Sequence, residues 1–410
     1  TNHGRTCSWA RISGIRSWDY STRSTRPDFQ GDFLDMMLQA TNKPNLISFA
    51  GGLPNPISFP TQEMAAATQK VLDQHGTIAM QYSIPEGYLP LRQFIAHQYL
   101  KQGIDISAND IIITNGSQQA LDILSAVLID EGDKILIEKP SYLAALQVFH
   151  LYNPKINSVT LNHHGIDLQK LTAYLEQKPK FIYAIPTFQN PTGLTYDNET
   201  RIALANLLKK TNTIFIEDNP YGDLRFNDET FLPIYPLLKD QTILLGTFSK
   251  TVSPGMRIGW IACSNSYLKQ KLLAYKQIVD LHTNIFGQMV LHQYLCDNSL
   301  EQHLEKIKKL YKEQAEQMIT SIQKYFPAEV KHTIPQGGMF LWVTLPQKLT
   351  AVALANEAIK HDIAIAAGDP FYEEERNVST LRLNYTNCDL KTIDQGIKIL
   401  GQIIKNLLAS

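Results

Sequence analysis

Residues 242–250 read TILLGTFSK. An apolar run, TILL, gives way to small residues and then to a lysine. Runs of this kind suit a strand buried on both faces, as in a parallel sheet covered by helices. Residues 110–114 (DIIIT), 134–138 (KILIE), 181–185 (FIYAI), 213–217 (TIFIE) and 257–261 (RIGWI) have the same character. Helical patterns over 117–129, 142–151 and 200–210 fall between them. The alternation predicts an α/β domain, with helices flanking a mainly parallel central sheet. Beyond residue 264 the pattern changes. Helical stretches over 266–280 and 300–325 are followed by short strands at 339–344, 363–366 and 380–384, which suits a smaller α+β domain. The expected layout is a large domain over 76–298 and a small one over 299–410. Residues 29–75 are expected to pack with the small domain and the active site, and residues 1–28 to form a poorly ordered extension or tag.

Composition removes several function classes. A formal net charge of −1 gives no basic field for nucleic acid or an anionic membrane. No apolar run reaches the roughly 18 residues of a membrane span. Cys7, Cys263, Cys296 and Cys388 are far apart and form no CxxC pair. That argues against a disulfide framework or a metal site and fits a reducing, cytoplasmic compartment. Arg5, Arg11, Arg16, Arg23 and Arg26 crowd the first 28 residues, which superficially resemble a transit peptide but lack the apolar core of a secretory signal.

Ligands of open α/β sheets lie beyond the carboxyl ends of the strands. Polar clusters stand at those ends here. Asn115-Gly116-Ser117-Gln118 opens a helix after DIIIT, where free N–H groups and the helix dipole attract anions. Gln189-Asn190-Pro191-Thr192-Gly193 makes a turn after FIYAI, and Asp218-Asn219-Pro220-Tyr221 follows TIFIE. Thr247, Ser249 and Arg257 surround Lys250 in sequence and offer donors suited to a phosphate. A lysine ending a buried strand can have a lowered pKa and act as a nucleophile. Arg382, in an apolar strand, has the fork geometry for a carboxylate. Taken singly, these clusters also read as helix caps, turns or a surface lysine.

Taken in order, they resemble class I/II aminotransferases of the pyridoxal 5′-phosphate (PLP) dependent fold type I. The stretch over 247–260, TFSKTVSPGMRIGW, is similar to the PLP-lysine segment of that family, and NPTG at 190–193 and DNPY at 218–221 match in order. SFAGGLP at 48–54 and GGMFLW at 337–342 resemble the branch containing 2-aminoadipate and kynurenine aminotransferases. The likeness runs from Phe29 to the C-terminus.

The resemblance implies a role for each matching residue. Lys250 carries PLP as a Schiff base and, once released, moves the proton from the substrate Cα. Asp218 pairs with the ring nitrogen. Asn190 and Tyr221 hydrogen-bond the ring 3-oxygen, and Tyr142 stacks on the ring. Ser117, Gln118, Thr247, Ser249 and Arg257 hold the phosphate, joined by Tyr82 from a neighbouring subunit. Arg382 takes the substrate carboxylate together with Asn190. Gly52 permits close approach of the chain to the substrate, and Phe340 lines the side-chain pocket. The implied enzyme is a homodimer with shared active sites. It moves an amino group between an L-amino acid (aminoadipate, aromatic or branched-chain type) and a 2-oxo acid such as 2-oxoglutarate, in ping-pong fashion. No second arginine suggests strict aspartate specificity, and in that branch residues near 28–53 can fold over the site. The same module also serves PLP-dependent lyases and regulators of the MocR type. The segment ahead of the match is short for the winged-helix domain such regulators carry.

Overall fold

The computed structural model describes residues 46–409 apart from 228, 230 and 232. Cys7, the 1–28 extension and residues 29–45 lie outside the described residues.

The main sheet has eight strands, in the order Ile111–Thr114, Gly259–Ala262, Thr242–Thr247, Ile214–Asp218, Phe181–Ala184, Lys134–Lys139, Lys155–Asn162 and Gly165–Ile166. From Thr242–Thr247 to Lys155–Asn162 the neighbours are parallel. Gly259–Ala262 runs antiparallel to both of its neighbours. The connection explains the reversal: residues 248–258 are too few for a crossover helix, which needs about a dozen residues or more. The chain therefore turns back at the carboxyl end of Thr242–Thr247. Lys250 and Arg257 fall within this turn. The run expected over 257–261 starts as a strand only at Gly259, because Arg257 closes a 3-10 turn in a left-handed conformation (φ 54°).

The all-apolar strands are buried on both faces, as their composition requires. Ile112, Ile137, Tyr183, Ile216 and Leu245 join one core. Their chain neighbours Ile111, Leu136, Ile182, Phe215 and Leu244 join cores on the opposite face. The helices Gly116–Leu128, Leu143–His150 and Ser266–Asp280 pack together beside the first of these cores. Lys155–Asn162 has no counterpart among the sequence expectations. Its residues KINSVTLN mix polar with apolar positions, because it lies near the sheet edge and is only partly buried.

The second sheet is antiparallel, in the order Lys331–His332, Phe340–Thr344, Thr380–Asn384, Ala366–Ala367. Helices Leu300–Tyr325 and Leu390–Ala409 pack on one another beside it. The single strand expected over 363–366 is two: Ile363–Ala364 pairs in parallel with Ile47–Ser48, and Ala366–Ala367 joins Thr380–Asn384. Of the segment expected over 29–75, the described part from residue 46 divides as well. Phe49 bridges to this region by backbone hydrogen bonds to Ala364 and Asn384 (both 2.8 Å). The helix Thr61–Ala79 instead packs on Ile285–Asp297, since its buried Ala67 and Val71 share a core with Met289 and Val290.

Candidate active site

The carboxyl ends of the parallel strands open into one cleft between the two sheets. Ser117, Gln118, Tyr142, Asn190, Asp218, Tyr221, Thr247, Ser249, Lys250, Arg257, Phe340, Arg382 and Gly52 all line it. Tyr82 does not line it. That side chain is 77% exposed, with its ring edge-on to His282 at 6.0 Å.

At one end Gly116 begins its helix with φ +73°, and a Cβ there would lie 2.5 Å from Arg257 Nη2. The glycine lets the guanidinium sit against the helix start, where Nη2 donates to Asn115 O at 3.3 Å. Ser117 Oγ is buried, with no partner among the described residues. Thr247 Oγ1 donates to Ser249 Oγ at 2.9 Å and accepts from Ser249 N at 3.0 Å. Helix N–H groups, hydroxyls and a guanidinium make a cradle for a dianionic group.

Deeper in the cleft, Asp218 ends its strand almost fully buried. Oδ2 accepts from Tyr183 OH at 2.7 Å, whereas Oδ1 has no partner among the described residues. Burial lifts this carboxyl to about 6, although the tyrosine bond opposes the rise. An orphaned buried carboxylate oxygen calls for a cationic N–H, such as a protonated ring nitrogen.

Lys250 Nζ donates to Gly52 O at 2.9 Å. Burial, with Arg382 and Arg257 nearby, lowers its pKa from 10.5 to about 8. The neutral amine therefore predominates above about pH 8 in the cofactor-free protein. Amine-directed labelling followed by peptide mapping should show Lys250 reacting half-maximally near there, well below the exposed lysines.

Asn190 connects two groups: its Oδ1 accepts from Arg382 Nη1 at 2.8 Å and its Nδ2 donates to Tyr221 OH at 3.4 Å. Arg382 Nη2 donates to Ala50 O at 2.6 Å, and its Nε has no partner among the described residues. The guanidinium carbon lies 4.3 Å from the Phe340 ring centre and 4.9 Å from that of Phe371. A Cβ on Gly52 would come within 2.9 Å of the Phe340 ring, so a larger residue would force the two apart.

The structure adds residues that sequence reasoning missed. Tyr183 holds Asp218. Glu138, fully buried, accepts from Ile185 N (3.1 Å), Gln189 Nε2 (3.0 Å) and Tyr196 OH (2.6 Å), and so ties down the loop that carries Asn190. The signal for Glu138 was present: it is a charged residue closing an apolar strand, as conspicuous as Arg382. Phe371 and Leu53, also lining the cleft, had no comparable signal.

This donor set fits PLP: a phosphate cradle, an amine of lowered pKa, and an unpaired carboxylate oxygen for a ring nitrogen. Among the described residues no cluster of side chains could hold a metal, and no helix is long and apolar enough to cross a membrane.

The family model for aminotransferase class I and II matches residues 52–400. A 2-aminoadipate transaminase of Thermus thermophilus is 37% identical over 398 residues, 96% of this chain and 98% of its own length. An aromatic-amino-acid aminotransferase of Thermococcus litoralis is 39% identical and aligns over 90% of each chain. The solved kynurenine aminotransferase of Pyrococcus horikoshii superposes with a TM-score of 0.87 at 37% identity, over 92% of this chain and 95% of that one. With identity at this level along nearly its whole length, the chain belongs to the class I and II aminotransferases and is a PLP-dependent transaminase.

Proposed function

We propose that this aminotransferase moves the amino group of an L-amino acid of the aminoadipate, aromatic or branched-chain type to 2-oxoglutarate, in two alternating half-reactions at one site. The names of its relatives, 2-aminoadipate and aromatic-amino-acid transaminases, support the aminoadipate and aromatic parts of that range. The observation that carries the site assignment is convergence: the Lys250 amine, the unpaired Asp218 oxygen and the half-engaged Arg382 guanidinium face one cleft.

When bound, PLP supplies an electron-accepting ring that stabilises negative charge at the substrate α-carbon. Asp218 Oδ1 would hold the ring nitrogen in its protonated form. Tyr142, Asn190 and Tyr221 line the same cleft and would hold the ring. Ser117, Gln118, Thr247, Ser249 and Arg257 would anchor the phosphate. Arg382 would orient the substrate by its α-carboxylate, and Lys250, as the neutral amine its surroundings favour, would take the proton from Cα. Phe340, Phe371, Leu53 and Leu143 form an apolar compartment for the substrate side chain. Among the described residues, Lys250, Arg257 and Arg382 are the cations lining the cleft, so the lining by itself favours aromatic and branched side chains, and the aminoadipate part of the range rests on the relative of that name.

A panel of amino donors with 2-oxoglutarate tests the range. Aminoadipate, aromatic or branched donors should lead, and turnover of aspartate alone would refute it. Arg382→Ala should raise KM for donor and acceptor alike by roughly 30-fold or more, the usual cost of unpairing a buried charge. Steady-state kinetics read this directly.

A homodimer with shared sites belongs to the same proposal. Ile78, Met80, Tyr82 and Ile84 are exposed, as are Ile278 and Val279, and Tyr82 touches His282. A second copy covering these residues would bring its own Tyr82 to the phosphate end. Sedimentation should give twice the chain mass, and a fully active monomer would exclude the arrangement.

A further inference from the structure

Asp218 directs its two oxygens differently. Oδ1 is buried with no partner among the described residues, whereas Oδ2 accepts the 2.7 Å hydrogen bond from Tyr183. Sheet register dictates this contact. Tyr183 pairs with Ile216, so Asp218, two residues further along, stands on the same face and diagonal to the tyrosine. The Tyr183 ring is fully buried and packs edge-on to Phe149 at 5.5 Å. Burial and the neighbouring carboxylate raise its phenol well above the ordinary 10, so it remains a donor at any working pH.

A carboxylate becomes a weaker base with each hydrogen bond it accepts. Opposite a ring nitrogen, a carboxylate that is too basic draws the shared proton to itself, leaving the ring neutral and a poorer electron acceptor. We propose that Tyr183 is a positioning residue: by holding Asp218 Oδ2, it aims Oδ1 into the cleft and keeps the shared proton on the ring nitrogen of the bound cofactor. The phenol keeps its own proton throughout, and no bond is made or broken. The proposal rests on the assignment of Asp218 to the ring nitrogen made above. The other ionisable groups that sense Asp218 are Glu138, Tyr142 and Tyr221, and Lys250, Arg257 and Arg382 share the cleft. All of them are unchanged in the variant below.

Tyr183→Phe removes the hydroxyl and keeps the packed ring. Cofactor-free wild type and Tyr183→Phe are titrated over a range of pH with PLP and with its 1-deaza analogue, which has CH in place of the ring nitrogen. In the wild type, PLP affinity should fall as pH drops through about 6, where Asp218 becomes neutral. In Tyr183→Phe that midpoint should rise by roughly one unit, the equivalent of one charged hydrogen bond, so PLP should bind about twofold more weakly near pH 7 and approach tenfold more weakly about one unit below the wild-type midpoint. Affinity for the deaza analogue should not weaken, which also shows that the variant site is folded. An unmoved midpoint, or equal weakening for both cofactors, overturns the role of Tyr183. A wild type that does not favour PLP over the deaza analogue overturns the Asp218 assignment instead, and the Tyr183 proposal falls with it.

Discussion

Lys250→Ala is expected to abolish measurable transamination while leaving a protein that still takes up PLP. Loss of the proton-moving amine alone removes on the order of 10²–10⁴-fold in rate, and loss of the covalent attachment adds to it. The phosphate cradle of Ser117, Thr247, Ser249 and Arg257 and the free Asp218 oxygen are all untouched, so binding should persist in weakened form. Borohydride reduction followed by peptide mapping checks the assignment. The wild type should carry a pyridoxyl group on Lys250 and the variant should carry none. A label on another lysine in the wild type would refute the assignment. The amine is prepared for this work by its surroundings: burial and two nearby guanidinium groups favour its neutral form.

Asp218→Asn should lower kcat by roughly 10²–10³-fold, the usual consequence of removing one pre-aimed electrostatic partner from a water-poor site. The carboxamide keeps the shape and can still accept the Tyr183 hydrogen bond, but it carries no charge to balance a protonated ring nitrogen. KM should change little, because Arg382, Asn190 and the aromatic compartment remain in place. Steady-state kinetics with one good donor separate the two parameters. A proportionate rise in KM with unchanged kcat would mean that Asp218 binds substrate rather than supporting the ring.

Much of this site was legible because chemistry at strand ends leaves a plain mark. A lysine after TILLG, an aspartate after TIFI and an arginine within LRLN interrupt runs that burial otherwise keeps apolar. The strands themselves announced their burial, and helices Ser266–Asp280 and Leu300–Tyr325 fall where their patterns put them. Contacts that depend on strand order were illegible. Nothing in FIYAI says that the tyrosine will lie diagonal to Asp218, since that requires Phe181–Ala184 and Ile214–Asp218 to be neighbours in a known register. The split of residues 363–367 was hidden for a similar reason. An apolar run specifies burial but not which partner strand it joins, and here two partners divide it. The helix Thr61–Ala79 carries only a sparse buried stripe, so its sequence did not indicate which core it would join.

Arg382 arrives at the cleft already immobilised. Asn190 and the Ala50 carbonyl hold its two terminal nitrogens, and two phenyl rings lie close by. A free arginine side chain carries about 2 kcal/mol of rotamer entropy, and here that freedom is surrendered during folding rather than at each encounter with substrate. A carboxylate docking on the guanidinium therefore meets a rigid surface. Differences between rival substrates then rest on how their side chains fill the compartment beyond it. Arg382→Lys would keep the charge but forfeit the rigidity, and selectivity among donors would blur along with affinity.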